Sequence, residues 1–288
     1  MSKLSSLLGR KFLYTVEILP PRNPDIKILY DTIDRLKKFS SRIIAVNVPD
    51  LPNAMLFMNS LVCAITLKQN DIEPIYQITC RDKNSLSIES DLLAASAFDI
   101  ENVIATTGDY PLSDNSNYKL LKMVYELDST SLIKTLVFMN EGRDIAGDTL
   151  NNKTNFYIGS EISVDARPLD PEVYKTKRKL NTGARFLQTR SVFEIDKINN
   201  FLNRYESLIG EDVNNRIIVG LPVIYKQIKL PIMPNHIKKR INESKEPLEE
   251  GVQITLENID GVRDIDVGGI NLISGGNMDI TERIIDQI

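Results

Sequence analysis

Short apolar, β-branched runs alternate along most of the chain with longer segments of helical period, the strand-helix order that a parallel sheet requires. The first run covers residues 12–18, and the segment after it, 25–39, spaces Ile28, Leu29, Ile33 and Leu36 for one helical face. Residues 42–48 are apolar almost without interruption, as in a strand covered on both sides. Further strands are predicted over 73–80, 102–106, 155–161, 185–189, 216–221 and 266–274. Helices are predicted over 53–68, from Ser85 or Ser87 to residue 98, over 118–127 with a continuation at 132–139, over 171–182 closed by Gly183, and over 194–209. Two helical pieces broken near Pro247 fill 234–261, and a last helix spans 280–288.

Eight such repeats without a linker-like change of composition predict a single (β/α)8 TIM-barrel catalytic domain over residues 1–288. An open doubly wound sheet competes, but it usually carries a glycine-rich loop after its first strand, where this chain has Pro20-Pro21. The first eleven residues hold Lys3, Arg10 and Lys11 and no acid, a weak likeness to a transit peptide. The preferred reading is a short N-terminal helix that lays Leu4, Leu7 and Leu8 over one end of the fold. The polar stretch 140–154 is the longest loop-like segment, and such loops are more often functional than idle.

Composition narrows the classes of function. Lys and Arg total 35 against 39 Asp and Glu, a net charge of −4 with no long run of one sign, so no nucleic-acid partner is expected. The apolar stretch 61–67 is far too short to span a bilayer, so no membrane partner is expected either. Cys63 and Cys80 have neither disulfide nor metal-ligand spacing and read as reduced thiols in a cytoplasmic compartment. The single histidine, His236, sits beside Lys238, Lys239 and Arg240 and reads as a solvated helix residue, so no metal site is expected.

In a (β/α)8 barrel, chemistry collects at the C-terminal ends of the strands. Those positions hold Glu17, Asn47, Gln77, Thr79, Asp109, Ser160, Glu161, Gln188 and Arg190. Glu17 and Asp109 each follow a buried-strand pattern and precede a proline-limited turn. Two carboxylates in one enclosed mouth can have their pKa values pushed apart, leaving one to donate a proton and the other to orient. The plain alternative pairs each with a rim cation, Glu17 with Arg22 for instance. The run Lys175-Thr176-Lys177-Arg178-Lys179 reads first as a solvated helix face, with a phosphate site as the alternative. Ser274-Gly275-Gly276-Asn277 reads as a turn in which Asn277 caps the last helix.

Several short pieces, taken in order and spacing, resemble the methylenetetrahydrofolate reductases. They are Val16-Glu17-Ile18-Leu19-Pro20-Pro21-Arg22; Ile78-Thr79-Cys80-Arg81-Asp82; Ala105-Thr106-Thr107-Gly108-Asp109-Tyr110-Pro111; Lys177-Arg178-Lys179-Leu180 with Gly183-Ala184; and Phe186-Leu187-Gln188-Thr189 with Phe193. The resemblance implies an FAD-containing barrel of one-carbon metabolism and methionine biosynthesis. NADH or NADPH would reduce the flavin, which would then reduce 5,10-methylenetetrahydrofolate or a related pterin to its 5-methyl form. It implies Glu17 as the general acid and Asp109 as the residue that binds the pterin and biases the flavin. Cofactor contacts are implied at Asn47, Gln77, Thr79, Thr107, Gly108, Asp109, Ser160, Glu172, Arg178 and Lys179. Substrate contacts are implied at Glu17, Asp109, Gln188 and Arg190. The chain departs from the family pattern at Gln77, where many members have histidine, at Asn47, commonly threonine, and at Arg190, usually glutamine. Those departures motivate an alternative, a pterin-binding or complex-forming subunit without its own NAD(P)H-linked activity; a homo-oligomer or a partner subunit fits either reading.

Overall fold

A computed structural model describes residues 1–110, 121–225 and 233–288. Eight parallel strands close into one barrel in sequence order: β1 Leu13–Glu17, β2 Ile43–Val48, β3 Pro74–Thr79, β4 Asn102–Thr106, β5 Tyr157–Ile162, β6 Phe186–Ser191, β7 Ile217–Pro222 and β8 Gly269–Ile273. Helices cover the outside: α2 Lys27–Lys37, α3 Ser60–Gln69, α4 Ser85–Ala97, α5 Ser129–Glu141, α6 Asp170–Thr182, α7 Ile195–Ile209, the pair α8 Asn235–Glu243 and α9 Pro247–Arg263, and α10 Met278–Ile285. The strands read as apolar runs because their outward faces pack against helices and their inward faces meet inside the barrel. No helix among the described residues is long and apolar enough to cross a membrane.

Most expected elements form, and the differences have local causes. Residues 52–54 make a 3-10 turn with left-handed backbone at Asn53, so α3 begins at Ser60, where the Asn59 side chain caps it. Residues 121–127 are not helical, and α5 starts at Ser129 under the Asp128 cap; residues 118–120 and Pro111 lie outside the described residues. In α2, Leu29, Ile33 and Leu36 are buried, whereas Ile28 is exposed. The long loop after α5 leads into β5, which places it at the N-terminal face of the barrel, away from the strand ends where chemistry was expected.

The bottom of the barrel is closed by the short N-terminal helix α1, Lys3–Leu7. The backbone N–H groups of Lys3 and Leu4 donate to the Glu73 carboxylate at 2.7 and 2.8 Å, and the Ser2 hydroxyl bonds Asn102 at 2.7 Å. Leu4 is thereby driven, fully buried, against Leu13, Ala45, Ile75, Ile104, Phe186 and Ile218, the lowest layer of the interior. Gly159 gives Phe186 its space there, since a Cβ would lie 2.3 Å from the ring. Leu4→Ala is expected to cost about 2 kcal/mol, read as a lowered urea midpoint with unchanged slope.

Candidate active site at the barrel mouth

Strand periodicity turns that lowest layer into a map of the interior, because residues two apart share a face. Above Leu13 come Thr15 and Glu17; above Ala45, Asn47; above Ile75, Gln77 and Thr79; above Phe186, Gln188; above Gly159, Glu161. The interior therefore changes from apolar at the bottom to polar at the mouth.

Three amides link across it. Gln77 Nε2 donates to Asn47 Oδ1 at 2.9 Å, and Asn47 Nδ2 donates to Gln188 Oε1 at 2.7 Å. All three are buried, and the direction of the chain turns the Gln188 NH2 away from Asn47 as its remaining donor. On β8, Asn271 accepts from the Thr15 hydroxyl at 3.0 Å, while its fully buried amide nitrogen has no complete hydrogen bond.

Glu17 and Glu161 lie deep among protein atoms with only partial solvent access along the mouth. Burial above all, and then the charge of Glu161, raise the Glu17 pKa to about 8 against the opposing effect of the facing Asn271 amide. Burial also raises Glu161, against the favourable charges of Arg190, Lys179 and Lys175. The carboxylate acting on Glu17 is thus Glu161, which the sequence marks as a strand end without giving it a role. The Glu17–Arg22 pairing does not form, for the Arg22 guanidinium sits 5.5 Å from the centre of the Phe57 ring.

Asp109 follows β4 on a turn pinned by three successive carbonyl groups. The Thr79 hydroxyl donates to the Thr107 carbonyl at 3.2 Å, the Tyr125 hydroxyl to Gly108 at 3.2 Å, and Arg81 Nη1 to Asp109 at 3.1 Å. Arg81, fully buried, also bonds the Leu51 carbonyl at 3.1 Å and the Asp82 carboxylate, tying the turn to the loop after β2. The Asp109 carboxylate accepts from Arg190 Nη2 at 2.8 Å, a half-exposed pair of the kind that contributes little stability. Neither Arg81 nor Tyr125 stands out in the sequence as a site residue; the Thr-Cys-Arg-Asp piece is the available signal for Arg81.

The other implied cofactor residues divide. Asn47, Gln77 and Thr79 face the interior with their polar atoms, whereas Ser160 points to the opposite side of β5 and donates to the Ala105 carbonyl at 2.8 Å. Thr107 Oγ1 accepts the Ser129 N–H at the start of α5, and Glu172 accepts the Ser163 N–H at 3.1 Å. Within the basic run, Lys177 pairs with Glu211, Arg178 is exposed and favours the ionised form of Asp128, and Lys179 is buried with its ammonium on the Glu161 carbonyl oxygen. Burial, with neighbouring Lys175 beside it, lowers Lys179 to about 8 against the carboxylates of Glu172, Glu161 and Asp128. Among the described residues this set offers ring-binding amides, and of its last two cations Lys179 is committed to the backbone, so the exposed Arg178 is the one that would meet the diphosphate of FAD.

Fold and mouth together define a (β/α)8-barrel protein with a buried acid at the C-terminal end of its first strand. The chain belongs to the methylenetetrahydrofolate reductase family, whose pattern it matches over residues 3–265. No curated protein sequence matches it. Among solved structures it is similar to a protein of Clostridium thermocellum described as binding two copies of 5-methyl-5,6,7,8-tetrahydrofolic acid, at 14% identity and a TM-score of 0.70, covering 98% of this chain and 97% of that one. Dihydropteroate synthase of Thermus thermophilus with 4-aminobenzoate gives 7% identity and a TM-score of 0.46, covering 97% of this chain and 95% of that one. The same enzyme with 6HMPPP gives 8% and 0.49, covering 97% and 94%. At these identities the likeness is one of fold.

Proposed function

We propose that the chain binds a reduced folate or related tetrahydropterin at the barrel mouth and reduces its 5,10-methylene form to the 5-methyl form, with Glu17 as general acid. The observation that carries the reading is the burial of Glu17 at the end of the first strand, inside the mouth of a barrel of this family, which raises its pKa to about 8. The methylene carbon bridges two nitrogens and accepts hydride poorly until one C–N bond opens. Glu17 supplies its proton to the leaving nitrogen, which keeps the electron pair of the broken bond, and the resulting iminium carbon takes the hydride. A reduced nicotinamide, NADH or NADPH, is the proposed source of that hydride, and family resemblance routes it through FAD. Gln188 on β6 and Asn271 on β8, one strand apart, carry interior amide N–H groups suited to the carbonyl and ring nitrogens of a pterin. Asp109 and Arg190 are proposed to meet the ligand at the rim. The buried thiols Cys63 and Cys80 suit a reducing compartment such as the cytoplasm.

A second reading, a pterin-binding or complex-forming subunit without its own nicotinamide-linked activity, draws support from the Arg190–Asp109 pair and from the commitment of Lys179 to the backbone. The absorbance spectrum of the purified protein, before and after addition of FAD, followed by anaerobic mixing with each nicotinamide and with methylenetetrahydrofolate, separates them. Flavin bands bleached by nicotinamide and restored by the folate support the FAD route. A colourless protein that turns over with NADH or NADPH supports direct transfer. Folate binding without turnover supports the subunit reading.

A further inference from the structure

The strand register sets a second carboxyl group against Glu17. Glu17 stands beside Asn47 across the β1–β2 ladder, Asn47 donates to Gln188 at 2.7 Å, and Gln188 stands beside Glu161 across the β5–β6 ladder. Because β2 and β6 are opposed in the barrel, the Asn47–Gln188 bond spans it, and the four polar side chains run across the mouth in register with a carboxyl group at either end. The surroundings of the two ends are unequal. Facing Glu161 are Arg190 from β6, Lys179 and Lys175 from α6, and Asp109 from the turn after β4. Facing Glu17 are Glu161 itself and the uncharged Asn271 amide. Cations collect at one end, so that end is the natural place for a negative charge.

We propose that Glu161 is a positioning residue that keeps the proton on Glu17: ionised, with the Lys179 ammonium on its own backbone carbonyl and Arg190 two residues along the neighbouring strand from Gln188, it makes a second negative charge in the same enclosed mouth unfavourable. The pair works as one acid with an assigned order of ionisation, Glu161 first and Glu17 second. This differs from a purely apolar pocket, because the acid strength of Glu17 then depends on a charge that a single substitution removes. The use of that proton in reduction rests on the function proposed above; the coupling belongs to the unliganded protein.

The test is a carbon-13 NMR titration of protein labelled at the glutamate side-chain carboxyl carbon, with signals assigned from Glu17→Gln and Glu161→Gln. In the wild type, the Glu161 signal is expected to titrate at lower pH and the Glu17 signal to show a second inflection as its partner ionises. In Glu161→Gln, the Glu17 midpoint is expected to move toward acid by about one pH unit. Independent single-step curves in the wild type, or an unmoved Glu17 midpoint in the variant, overturn the proposal. Should Glu161→Gln fail to fold, the wild-type curves decide alone. Where turnover of a methylene-tetrahydropterin is measured, the alkaline limb of kcat/KM moves with the NMR midpoint while the acid plateau is kept, about a tenfold loss well above the midpoint. Coupling seen without turnover upholds the proposal and removes the reductase reading. Turnover with uncoupled carboxyls does the reverse.

Discussion

Glu17→Gln is expected to lower reduction of a methylene-tetrahydropterin by about a thousandfold while pterin binding and nicotinamide oxidation survive. The amide keeps the shape of the carboxyl group and cannot give up a proton to the leaving nitrogen. Equal loss of both half-reactions, measured by stopped-flow absorbance, would remove Glu17 from the acid role. The same substitution is expected to stabilise the protein. Folding raises the Glu17 pKa from 4.5 to about 8, so between those values the native state holds a proton that the unfolded chain releases. The contribution of this group to stability is therefore fully present below pH 4.5 and is lost as pH rises toward 8. Glutamine has no such slope. Thermal melts should place the variant above the wild type, by a margin that widens from about pH 5 to about pH 8 and reaches a few degrees. A margin that is flat with pH would mean that Glu17 is ionised in the folded protein.

Gly108→Ala is expected to disable the site from the other side. Gly108 has φ of +94°, in the region that a side chain makes costly, and its missing Cβ would lie 2.1 Å from Thr79 Oγ1 and 2.8 Å from Arg81 Cβ. Those are two of the three residues that pin the turn, and Arg81 is fully buried, so neither can move aside without releasing a carbonyl. Strain and overpacking together are expected to cost about 3 kcal/mol. Asp109 rides on the same turn, so ligand affinity should fall as well. A urea midpoint and a pterin titration on the same sample check both, and a variant as stable as the wild type would show that the turn is free to shift.

The barrel itself was legible because parallel strands buried on both faces leave continuous apolar runs, as at Ile43–Val48, and because caps such as Gly183 and Asn277 mark helix ends. The same continuity hid the site. With both faces of a strand buried, sequence does not reveal which alternate residues face the interior, so Ser160 drew a cofactor contact and Glu161 no role, although only Glu161 faces it. Gly159 was the available clue to that parity, readable only once Phe186 lies against it. Glu17 and Asp109 were paired as the two strand-end carboxylates beside prolines, yet Arg190, from a strand far along the chain, takes Asp109 and leaves Glu161 as the neighbour of Glu17. Lys179 looked like one of four surface cations, and only the orientation of α6 turns it inward.

The amide series Gln77–Asn47–Gln188 has a polarity, since every donor in it points the same way from β3 through β2 to β6. Replacing the donor at Gln77 by an acceptor of the same shape, as in Gln77→Glu, would favour reversal of Asn47 and then of Gln188. The ligand would then meet an oxygen where it had met an N–H, although the altered residue lies on another strand. Selection would accordingly act on the three positions as one inherited character. Relatives with a different residue at the Gln77 position are then expected to differ at Asn47 or Gln188 as well, and to prefer a ligand whose hydrogen-bonding edge is inverted.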